Sequence, residues 1–157
     1  MTIQLTEEEQ LKSNVSYLKY ILSIQKEIST VLGIIEDAID DRKDSFMFMN
    51  PKSQQEEPVP ISRAIQYLQD ACRTSFAFEF PNSLKEEQEL FSNAINHLQK
   101  ATKLLGFYFG NDSFATEKIY EDICHHVLMY DELINMFGER INVKLHDWMG
   151  VESIFSR

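Results

Sequence analysis

The stretch FATEKIYEDICHHVLMYDELINMFGERINVKLHDWM, residues 114–149, decides the fold class. Its apolar residues Ile119, Ile123, Val127, Tyr130, Ile134, Phe137, Ile141, Leu145 and Trp148 recur at steps of three and four. That is the period of a helix buried along one side, and a strand would alternate every second residue instead. The phase survives Gly138, so the spacing predicts one helix over about 114–149. A break at Gly138 is the other reading, since glycine in a helix costs about 1 kcal/mol.

Working outward, the same signal appears three more times. Leu18, Ile21, Ile24, Ile28, Val31, Ile35 and Ala38 form a stripe over about 7–40. Thr6 with Glu9 reads as a capping box at its start, and Glu7 and Glu8 suit the positive end of the helix dipole. Ala64, Ile65, Leu68, Cys72 and Phe76 mark a second helix, with Pro60 in its first turn. Phe91, Ala94, Ile95, Leu98, Ala101 and Leu105 mark a third, opened by a Ser83–Glu86 capping box and closed by Gly106. Residues 44–59 read as a long mobile loop, because Pro51 to Pro58 is too polar to bury. The expectation is an all-α domain over 1–157, an antiparallel four-helix bundle with long first and last helices. Two short helices leave part of two long ones uncovered, which predicts a groove or a homodimer surface.

Composition agrees. The 157 residues suit a single domain, 43% are apolar, and only 5 Gly and 4 Pro are present, too few for the turns of a β-rich fold. There are 25 acidic against 15 basic residues, a formal charge of −10. That balance repels nucleic-acid phosphate and anionic lipid, and no basic patch interrupts it. Cys72 and Cys124 each sit among apolar residues and read as small core hydrophobes, not as a disulfide framework. The acidic N-terminus lacks the pattern of a signal peptide and no apolar run reaches the length of a membrane span, so the expected location is the cytoplasm.

Three connections carry aromatics where loops normally carry polar residues: Phe46-Met47-Phe48-Met49, Phe76-Ala77-Phe78-Glu79-Phe80 and Phe107-Tyr108-Phe109. In an up-down bundle the first and third lie at one end. They either fold back to plug it or form a contact surface, for which methionine's pliable side chain is suited. Glycine-rich phosphate loops and nucleophile elbows are missing, which disfavours the common nucleotide hydrolases and esterases. Glu121, Asp122 and His125 share one helix face, but a di-iron bundle needs two Glu-x-x-His motifs and only one Asp-x-x-His occurs. A metal-binding bundle is therefore a minor alternative, and no cofactor is expected. The leading expectation is a non-enzymatic helical interaction module, a regulatory or inhibitory subunit with a protein partner. Phe46, Met47, Phe48, Met49, Phe107, Tyr108 and Phe109 would make the contact.

Near the end of the chain, Arg140-Ile141-Asn142-Val143-Lys144-Leu145-His146 is followed by Trp148 and by Val151-Glu152. This resembles the terminal motif of HEPN domains, small all-helical proteins of toxin–antitoxin and antiviral systems, many of them metal-independent ribonucleases. The resemblance implies that His146 moves protons at a ribose hydroxyl or leaving oxygen while Arg140 stabilises charge on the phosphate, in a site shared across a dimer. RNA would then be the partner that the acidic composition otherwise argues against.

Overall fold

The computed structural model describes residues 7–110 and 116–155, with side chains over 7–110 and 117–148. Four helices dominate it: α1 Glu7–Asp40, α2 Ile61–Phe76, α3 Lys85–Gly110 and α4 Thr116–Phe155. The all-α class holds broadly. A two-stranded antiparallel sheet, β1 Ser45–Met49 and β2 Glu56–Pro60, is added between α1 and α2. The order long, short, short, long is present, with 34, 16, 26 and 40 residues.

α1 buries Val15, Leu18, Ile21, Gln25, Ile28, Leu32, Ile35 and Ala38. From Ile21 to Ile35 the steps alternate strictly between four and three, an average of 3.5, the stagger of helices that pack along each other. The expected stripe drifted: Ile24 and Val31 are only half-buried, and Gln25 and Leu32 take the inward places. Gln25 is tolerated there because its Oε1 accepts a 2.6 Å hydrogen bond from the Tyr130 hydroxyl of α4. Thr6, the expected cap of α1, lies outside the described residues, whereas Glu7, Glu8 and Glu9 do occupy the first turn.

Several boundaries differ from expectation. Pro60 does not enter α2; it ends β2 and stands at the N-cap with φ −62° and ψ 144°, leaving Ile61 to open the helix. Phe76, expected inward, is exposed, and Ser75 is buried one place earlier. Ser83 lies inside a short 3-10 turn, Asn82–Leu84, and α3 starts only at Lys85, so no capping box forms. α3 continues through Gly106 to Gly110, because glycine weakens a helix without forbidding it. α4 likewise runs unbroken through Gly138.

The most extensive packing is between α3 and α4; α2 lies on α3, and α1 touches both α4 and α2. The core they enclose is aliphatic at its centre and aromatic at one end. There Phe91 stacks obliquely on Phe137 at 5.1 Å between ring centres, and Phe78 and Phe80 from the α2–α3 connection cover them. The 78–80 segment is thus a plug, with Phe76 left outside it: Tyr17 meets Phe78 edge-on, and the Tyr17 hydroxyl accepts from the Glu79 backbone N–H at 2.9 Å. Among the described residues no helix is long and apolar enough to cross a membrane.

Candidate docking surface

The segment expected to be a loop over 44–59 is instead a hairpin, and its own chemistry explains why. Asn50 organises the turn. Its side-chain Oδ1 accepts from the Lys52 N–H at 2.9 Å, its backbone carbonyl accepts from Gln54 at 2.8 Å, and its Nδ2 donates to Glu57. Gln54 sits at φ +55°, the left-handed position such a turn needs. The Asn50 N–H then donates to the Gln55 carbonyl at 2.9 Å. The register pairs Phe46 with Val59, Met47 with Pro58, Phe48 with Glu57 and Met49 with Glu56.

That register decides where the prolines point. Asn50 bonds Gln55 and, at the other end, the Ile61 N–H bonds the Asp44 carbonyl. Hydrogen-bonded and non-bonded pairs alternate along an antiparallel ladder, so Phe46/Val59 and Phe48/Glu57 are the bonded pairs between them. Pro58 and Pro60 occupy non-bonded positions, where their missing N–H would have faced outward. β2 therefore has a proline-blocked outer edge. β1 presents the N–H and C=O groups of Ser45, Met47 and Met49 outward, and no third strand pairs with them among the described residues.

Of the predicted contact residues, Phe46 is half-buried and packs against the core, anchoring the hairpin. Met47, Phe48 and Met49 are exposed at 58%, 53% and 54%. The Phe107-Tyr108-Phe109 set is not a connection at all but the last turn of α3. Phe107 is exposed there, while Tyr108 and Phe109 pack against the core. Tyr108 lies beside Tyr120 of α4, which shares a groove with Ile39 and Asp40 of α1; Phe46 shares another with Ala38 and Asp41. Hairpin and α3 terminus are thus at one end of the molecule. Phe107 faces away, lining a groove of about 510 Å³ with Phe76, Cys72 and Thr102.

The α1–α4 groove is about 330 Å³, with Ile123, Val127 and Leu128 on its walls and Glu36, Asp40 and Asp131 among them. Burial, followed by the neighbouring Asp131, Asp40 and Asp37, raises the Glu36 pKa; burial raises that of Asp131. Cys124 lines the same groove and is exposed, contrary to its expected core position, because it stands one residue, about 100° of helix rotation, off the Ile123 stripe. Cys72 is buried as expected, and burial pushes its thiol up to about 11.

Arg140 donates to Glu86 at 3.0 Å and lies 3.9 Å from the buried Glu87 carboxylate. His146 is exposed. Both stand on the continuous α4, where six residues at about 100° each turn them some 120° apart. One chain therefore does not direct them at a common point. Trp148 packs against the core, and the side chains of Val151 and Glu152 lie outside the described residues. Asp122 pairs with Lys118 at 3.6 Å. His125 instead neighbours two imidazoles that sequence reasoning passed over, His126 on its own helix and His97 on α3. Their meeting depends on the α3–α4 pairing, which no local pattern reveals. Among the described residues no group of three or more His, Cys, Asp or Glu side chains is placed to hold a metal ion.

No family model, curated protein or solved structure matches the chain.

Proposed function

We propose that the protein is a non-enzymatic interaction module, a regulatory or inhibitory subunit built on an antiparallel four-helix bundle. The hairpin is its docking element. The observation that carries this reading is the outer edge of β1, where unpaired backbone groups coincide with exposed Met47, Phe48 and Met49. An open strand edge is a template for another strand, and proteins normally blunt it with charge or proline. Here β2 is blunted and β1 is not. The partner contributes an extended segment that adds to β1, with main-chain hydrogen bonds giving affinity and apolar side chains meeting the methionines. The charge of −10 favours a partner with a basic surface.

Met47→Pro tests this. Met47 sits at a non-bonded ladder position, so proline removes an outward N–H and leaves the β1–β2 bonds intact. The protein is purified from its host and bound proteins are identified by mass spectrometry. A stoichiometric partner held by wild type, and lost from both Met47→Pro and Phe48→Ser at unchanged thermal midpoint, is the expected result. A partner retained by both variants would remove the hairpin from the interface.

A further inference from the structure

The His97 ring on α3 and the His126 ring on α4 bring their Nδ1 atoms within 3.0 Å of each other. Both rings are part-buried at the edge of the α3–α4 seam, and the ring of His125 lies 5.1 Å from that of His126. Two neutral imidazoles can make this contact in only one way: one Nδ1–H donates and the other Nδ1 lone pair accepts. A divalent cation can take the place of that shared proton. The donor ring moves its proton from Nδ1 to Nε2, and both Nδ1 lone pairs then face one point with no net proton released.

The separation indicates which ion suits that point. With metal–nitrogen bonds of about 2.0–2.1 Å, nitrogens 3.0 Å apart subtend roughly 91–97°. This matches adjacent positions of a tetragonal or octahedral ion and is narrower than a tetrahedron requires. Imidazole is a preferred ligand of Cu²⁺ and Ni²⁺, which favour that geometry. We propose that His97 and His126 form a two-imidazole chelating site for a late first-row divalent cation, Ni²⁺ or Cu²⁺, that ties α3 to α4, with water completing the coordination. The site is separate from the hairpin and does not depend on its role.

The probe is Ni²⁺ alone, which avoids copper oxidation of the exposed Cys124 thiol. Calorimetric titration of the metal-free protein is expected to show one Ni²⁺ per chain, with the thermal midpoint rising as Ni²⁺ is added. His97→Phe and His126→Phe keep a ring in the seam but remove the ligand. Each is expected to weaken binding tenfold or more, and His97→Gln and His126→Gln serve if the larger ring perturbs packing. His146→Gln and Cys124→Ser are expected to bind as wild type does. Wild type that takes up no Ni²⁺, ring variants that bind it unchanged, or loss of binding in Cys124→Ser would each overturn the assignment.

Discussion

Gln25 and Tyr130 are a polar pair inside an otherwise apolar seam. The tyrosine hydroxyl reaches Gln25 Oε1, while Gln25 Nε2 has no partner. Removing one member of such a pair strands the other, which costs more than the bond itself contributes. Tyr130→Phe is expected to lose about 1–3 kcal/mol, a midpoint drop of about 2–4 °C per kcal/mol for a chain this size. The double variant Gln25→Leu, Tyr130→Phe is expected to recover most of that loss, and thermal denaturation of both variants beside wild type checks it. Glu36 makes a second prediction. Folding raises its pKa, so the native state holds the proton more tightly, and the stability this gives is lost as pH climbs through the raised value. Glu36→Gln is expected to melt higher than wild type at pH 7.5, with the difference shrinking toward pH 4.5. Equal differences at both values would show that Glu36 does not feel the groove.

The hairpin divides one aromatic run into two roles. Phe46 faces the core and Phe48, two places on along the same face, extends past it. Phe46→Ser is expected to cost about 1–2 kcal/mol of stability. Phe48→Ser is expected to stay within about 0.5 kcal/mol of wild type, as surface changes usually do. Chemical denaturation of both separates anchor from contact. All four helices are legible in the sequence because each long stripe repeats its period many times. The hairpin is not, because Ser45–Met49 is only five residues with no polar alternation, and because Pro58 and Pro60 argue against a strand until the register is known. Gly106 reads as the end of α3, four residues early, which makes Phe107-Tyr108-Phe109 look like a loop. The exposed Met47, Phe48 and Met49 were legible as unusual residues for their place. The open edge beside them was not, since it follows from pairing. The His97–His126 contact was invisible for the same reason: 29 residues separate rings that only tertiary packing brings together.

Across the molecule, burial is uneven. α3 and α4 share the broadest interface, while α1 meets α4 along a seam that opens into two grooves. Backbone hydrogen bonds exchange slowest where opening requires the most buried surface to be exposed. Hydrogen exchange is therefore expected to be slowest in α3 and the facing part of α4, and faster in α1. Slowest exchange in α1 would mean that the α1–α4 seam closes in solution. The two prolines of β2 reach beyond the single molecule. A sheet with two receptive sides can recruit strands without limit and grow into a fibre. This one leaves a strand edge open on one side only, so strand addition, as proposed, would join each chain to one neighbour and then stop. Even two copies joined through their β1 edges would present proline on both flanks, so the ladder terminates at four strands.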